Sequence, residues 1–209
     1  MTTTTALKET FIQKAEAVSA IVKVIGSPDE AYAYALDICE AKEACQLLVS
    51  GCEEGLSEPA ADLCQTKPGK IIAAPGLDAE QFELFQALCQ DRGVTLLSSG
   101  MRKYLGGVDI GLTFAKFGIA ETGSLVINSN SEEVRLATMV SEIHIAVLPM
   151  SEIRTTALDI ASDLETMTSS AANYTAIITG ASRTADIERV LALGVHGPLE
   201  LHILLVENA

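Results

Sequence analysis

Apolar residues recur along this chain in two rhythms, helical steps of three and four and short unbroken strand-like runs. Leu7, Phe11, Ala15, Val18, Val22 and Ile25 fall on one helical face, so residues 5–25 read as an amphipathic helix. Ser27-Pro28-Asp29-Glu30 then has the form of a capping box with proline at the first helical position, and the helix it opens is expected to reach Glu43. Residues 47–49 read as a short buried strand and 50–69 mostly as loop. A strand over 70–74 follows, then a helix over 79–92 capped by Asp78 and ended by Gly93, then a strand over 94–97. Further on, strands over 124–127, 143–148, 176–179 and 201–206 alternate with helices over 132–139, 154–167 and 185–191. This alternation predicts an α/β fold with a mainly parallel sheet, helices on both faces and an N-terminal helical extension. No repeat or low-complexity linker interrupts the pattern. The expected organisation is N-terminal helices over residues 1–45, packed on a single α/β domain over residues 46–209.

Between the strands at 94–97 and 124–127 lies a string that the periodicities do not explain, GVDIGLTFAKFGIAETGSLVI, from Gly107 to Ile127. Gly107, Gly111, Gly118 and Gly123 surround a single acid, Glu121. Glycine lets backbone approach backbone or ligand closely, so four in one short span point to a shaped site. Glu121 reads either as a nucleophile or general base, or as a structural carboxylate that accepts backbone N–H bonds from the glycine turns. A second dense segment, TGASRTADIERVLALGVHGP, runs from Thr179 to Pro198.

Composition narrows the function classes. With 48% hydrophobic residues and no tryptophan, the chain suits a soluble Ala/Leu/Ile/Val-filled α/β protein. Its 28 acids against 14 bases give a net charge of −14, and no Lys/Arg stripe is present to displace counterions, so nucleic acid is excluded as a partner. Basic residues beside glycine-rich turns therefore stand out, and Lys116 and Arg183 are two of them. The five cysteines, Cys39, Cys45, Cys52, Cys64 and Cys89, form no C-x-x-C. An odd count without a leader-like N-terminus points to a reducing cytoplasm, and the spacing offers no self-contained cluster or structural zinc site. No apolar run reaches the ~18 residues of a membrane span.

Gly180, Ser182, Arg183 and Thr184 are read as a strand-to-helix turn, where unpaired N–H groups and side-chain donors favour a carboxylate or phosphate. The competing reading makes Thr184 a helix cap and pairs Arg183 with Asp186 or Glu188. His144 and His202 sit in apolar strands and read as core. His196, in Gly194-Val195-His196-Gly197-Pro198, sits in a turn and is the histidine to consider functionally. No two ligand-type residues share a metal-like spacing, so no metal is expected.

Three strings, Ala120–Gly123 (AETG), Ser182–Glu188 (SRTADIE) and Gly194–Pro198 (GVHGP), occur in the order found in the LUD (lactate utilisation) domain family. The chain resembles the stand-alone lactate utilisation protein C type most, specifically from about residue 98 to 206. The resemblance implies a fold like that of ribose-phosphate isomerase, glucosamine-phosphate deaminase and the coenzyme A transferases. It also implies a place in a three-component system that oxidises L-lactate to pyruvate, as the subunit without clusters, its iron–sulfur partners carrying the electrons. Thr122 and Gly123 of the AETG string, with Lys116, join the 180–184 turn and His196 as candidate ligand contacts for a small anionic metabolite. The chain departs from the family pattern at Phe114 and Lys116, where a glycine and an acid are common, and the lysine inverts the local charge. A coenzyme A transferase-like or isomerase-like enzyme using Glu121 is the competing function, and an anion-binding regulator a third. Self-association is compatible with each.

Overall fold

The computed structural model describes residues 3–43, 69–104, 107–169, 174–184, 192–193 and 197–207. The strand read over 47–49, the helix read over 185–191 and His196 lie outside these residues, as do Cys45, Cys52 and Cys64.

Six parallel strands form the main sheet, in the order β1-β12-β7-β4-β2-β3. They are β1 (Ala20–Ile25), β2 (Ile71–Ala73), β3 (Thr95–Leu97), β4 (Val108–Phe114), β7 (Ser141–Pro149) and β12 (Glu200–Val206). Their residues are apolar almost throughout because both faces are covered. With side chains alternating along a strand, Ile143, Ile145 and Val147 of β7 join Ile110, Leu112 and Leu204 on one face. Ala146 and Leu148 join Leu201, Ile203 and Leu205 on the other.

Helices α2 (Asp29–Ala41) and α3 (Ala79–Asp91) cover the first face, where the Tyr32 and Phe85 rings stack with centroids 4.7 Å apart. The second face carries α1 (Thr3–Ala17), α4 (Glu132–Val140) and a smaller four-stranded sheet. That sheet orders β8 (Ile153–Arg154), β5 (Phe117–Ile119), β6 (Ser124–Asn128) and β9 (Thr175–Ile178) side by side. Its outer face is closed by α5 (Ala161–Thr168) and the 3-10 turn Ala157–Ile160, through Ile160, Leu164 and Met167 against Phe117, Ile119 and Val126. No helix among the described residues is long and apolar enough to cross a membrane.

Several local expectations change. The helix read over 5–25 stops at Ala17, and residues 20–25 form β1, hydrogen-bonded along its length to β12. Ser19, at φ 65°, breaks the helix, and the β-branched run Ile21, Val22, Val24, Ile25 suits the sheet edge. The capping box at Ser27 does not form. Pro28 occupies the cap position, and Glu30 Oε1 instead accepts from the Gly26 N–H at 3.1 Å. At Asp78 the reverse holds: Asp78 and Gln81 make a full reciprocal box. The helix read over 154–167 is shorter, because Ile153–Arg154 pairs with β5 and a 3-10 turn intervenes. The glycine string resolves into β4, β5 and the turn into β6. A Cβ at Gly111 would lie 2.1 Å from Ala137 O, so α4 rests directly on β4.

At the start of the sheet, the carboxylate of Asp109 is fully buried. It accepts from Lys42 Nζ and from the Ile71 N–H, both at 2.8 Å, and Lys42 also reaches Glu142 at 3.0 Å. This ties the end of α2 to β2, β4 and β7. Burial works against the Lys42 charge, but the hydrogen bonds it donates to Asp109 and Glu142 and their negative charges outweigh this and raise its pKa.

Candidate functional site

A cavity of about 510 Å³ opens where α4, the edge strand β9 and the 179–183 segment meet the main sheet. It lies at the amino ends of the parallel strands. Val18 precedes β1, His144 comes early in β7, and Pro198 and Leu201 flank the start of β12. The usual expectation for an open parallel sheet, a ligand beyond the carboxyl ends, does not describe this cavity.

Gly180 and Gly123 explain how the walls are held. Both have positive φ, 72° and 67°, and both press on the end of α1. A Cβ at Gly180 would lie 2.2 Å from Val18 O, and one at Gly123 2.2 Å from the Ala15 nitrogen. The turn that contains Gly123 is linked to the cavity wall through a run of hydroxyls. Thr122 Oγ1 and Ser124 Oγ are 2.7 Å apart, and Ser124 Oγ and Thr179 Oγ1 2.6 Å. On the far side, the Ser182 N–H donates to Pro198 O at 3.0 Å. Beyond Ser182 the chain does not enter a helix at once. Arg183 and Thr184 form the short strand β10, antiparallel to β11 (Ala192–Leu193). The helix read over 185–191 lies outside the described residues, so the argument for an anion at this turn rests here on the charge of Arg183 itself.

Opposite stands α4. Arg135 Nη1 donates to the carbonyls of Ser129 and Asn130, and its guanidinium lies 5.7 Å from the Tyr174 ring centroid. Tyr174 is fixed in turn: its N–H donates to Asn130 Oδ1 and its carbonyl accepts from the Ser129 N–H, at 2.9 and 2.8 Å. Ser129 is fully buried in the wall, and among the described residues its hydroxyl has no hydrogen-bond partner. Buried polar groups are nearly always paired, which sets this hydroxyl apart.

His144, also in the wall, is fully buried, with Nε2 2.7 Å from Thr113 Oγ1. Burial pushes its pKa down from 6.5 to about 4, so it is neutral at neutral pH. The described lining holds two arginines and no Asp or Glu. In a chain with twice as many acids as bases, that is a local reversal of the overall charge.

The residues singled out in the sequence divide accordingly. Gly180, Ser182 and Arg183 line the cavity, and Thr184 follows them in β10. Thr122 and Gly123 support the wall from behind. Glu121 is exposed and accepts from the Ala157 N–H at 2.9 Å, so its carboxylate caps the 3-10 turn. Lys116 is exposed beside β5, with Nζ 5.7 Å from the Phe117 ring centroid. Neither Glu121 nor Lys116 is among the lining residues. Sequence reasoning missed Ser129, Arg135 and Tyr174. Arg135 was the accessible signal, as a base on a helix in a chain poor in bases. Among the described residues, no group of three or more His, Cys, Asp or Glu could hold a metal ion.

Comparison with known proteins gives these surroundings a context. A family model described as the LUD domain matches residues 8–206. Lactate utilization protein C of Halalkalibacterium halodurans is 32% identical over 103 residues, 48% of this chain and 45% of that protein. Lactate utilization protein C of Bacillus subtilis is 35% identical over 106 residues, 48% and 43% of the two. Each match thus spans less than half of the relative's length. A crystal structure of a DUF162 family protein from Deinococcus radiodurans shares the fold, with a TM-score of 0.58 at 14% identity over 99% of both chains.

Proposed function

Because the chain belongs to the LUD domain family, we propose that it serves lactate utilisation, as the cluster-free subunit of an iron–sulfur system that oxidises L-lactate to pyruvate. The observation that carries this reading is the family match over residues 8–206, together with relatives named lactate utilization protein C. In this reading the two electrons removed from lactate leave through clusters on partner proteins. This chain contributes a site for an anionic metabolite in the cavity between Arg135 and Arg183. Two guanidinium groups at one cavity, without a carboxylate partner among the described residues, attract a carboxylate or phosphate before contact and hold it on arrival. Neutral His144 adds no charge of its own. A complex of this kind assembles from soluble subunits in the cytoplasm.

Anaerobic affinity purification from the native host tests the proposal. Cluster-bearing proteins should co-purify, and the eluate should reduce a dye when L-lactate is added. If the chain emerges alone and lactate reduces nothing, the lactate reading is wrong.

A further inference from the structure

We infer that the cavity takes an amphipathic organic anion well above lactate in size, with its acidic group on the arginine side and a flat apolar body against Met139, Tyr174 and Ile177. The inference deepens the anion-site reading of the cavity and does not depend on the lactate system.

Size is the first argument. Lactate has the bulk of about four waters, at about 30 Å³ each in the liquid. It would fill roughly a quarter of a 510 Å³ cavity, which lies in the range of about 300–1,000 Å³ typical for cofactor-sized ligands. A site built for lactate alone would leave most of this volume to water.

Surface chemistry is the second. Met139, Tyr174 and Ile177 are more than half exposed, three of the few large hydrophobic side chains left so open, and all three line this one cavity. Isolated exposed apolar residues need no explanation, but a cluster around a cavity mouth marks a binding surface. Tyr174 offers a ring face, and the Arg135 guanidinium already lies on it.

Polarity is the third. Among the described residues the buried Ser129 hydroxyl lacks a partner, and no carboxylate pairs with Arg135 or Arg183. Nη1 of Arg135 is engaged by carbonyls, while its other nitrogens carry no partner among the described residues. An acidic group with several acceptor oxygens satisfies these donors together.

Isothermal titration calorimetry with three probes tests this: biphenyl-4-carboxylate, its uncharged counterpart biphenyl-4-methanol, and L-lactate. The carboxylate is expected to bind at least about tenfold more tightly than either of the others. Arg183→Met and Ser129→Ala should each weaken it at least about threefold. Ser129→Ala should do so with no fall in Tm, since it removes only an orphan hydroxyl; a purely structural serine would show the opposite. Arg92→Met, at the end of α3 on the opposite face of the main sheet, should bind as wild type does. Lactate binding as tightly as the biphenyl acid, equal binding of the neutral alcohol, no binding of the acid, or indifference to both substitutions would each overturn the inference. If the acid binds as expected while lactate fails to drive dye reduction, only the lactate reading is lost.

Discussion

His144 Nε2 and Thr113 Oγ1 lie 2.7 Å apart, fully buried between β4 and β7 beneath the cavity. Burial holds the imidazole in its neutral form, lowering its pKa from 6.5 to about 4. The unfolded chain takes up a proton at this position near pH 6.5, whereas the folded chain does so only near pH 4. Stability is therefore complete above pH 6.5 and declines as the pH falls through this window, by at most roughly 3 kcal/mol. Urea denaturation of wild type and His144→Gln at pH 7 and pH 4.5 checks the prediction. The two should diverge at pH 7 and converge at pH 4.5, and parallel curves would refute it.

Lys42 is a counter-ion of Asp109, whose carboxylate has no exposure. Lys42→Met leaves that carboxylate buried without its ammonium and should cost about 3–5 kcal/mol. Lys42→Met combined with Asp109→Asn should cost clearly less than the two single changes summed. Chemical denaturation of the three variants measures the coupling, and simple additivity would remove the pair from the account.

Gly123→Ala and Gly180→Ala should each destabilise by at least about 2 kcal/mol, since both force a side chain into left-handed backbone and into the end of α1. Gly93→Ala is the control, because its φ of 65° is similar but nothing lies within 4 Å of its Cβ. A thermal melt in which all three lose the same amount would assign the whole effect to backbone conformation and none to the packing on α1.

Glu121→Gln should cost less than about 1 kcal/mol, as expected for a carboxylate capping one exposed backbone N–H. Incubation of wild type with acetyl-CoA should leave the intact mass unchanged. A mass increase that disappears in Glu121→Gln would restore the transferase reading and place chemistry at this hairpin.

How far the sequence reached can be judged from particular residues. Alternating apolar runs identified β2, β3, β7, β12 and the three longer helices after residue 28, because each signal is local. β1 was hidden: Val18, Val22 and Ile25 keep a helical step, and only its pairing with β12 decides for strand. In the second sheet the strands over 124–127 and 176–179 were legible, but their pairing was hidden for the same reason. Residues 175–178 have the apolar content of a parallel core strand, yet they pair antiparallel with β6. At the site, Gly180, Ser182 and Arg183 were legible because glycine and base stand together. Ser129, Arg135 and Tyr174 come from a loop, a helix face and a strand entry that only the fold brings together. The glycine string was noticed for the right property, close approach, but what approaches Gly111, Gly118 and Gly123 is the protein's own packing.

The pairing of β1 with β12 has a consequence for how the protein is made. β12 is the strand that joins β1 to β7, and it leaves the ribosome after every other strand of the sheet. Until then β1 has no partner, and its apolar residues Ile21, Val22 and Val24 stay available to any other unpaired strand. Completion of the main sheet thus waits on its last strand, limited by a contact between segments far apart in sequence. A nascent chain stalled just before residue 200 should be the form most dependent on chaperones.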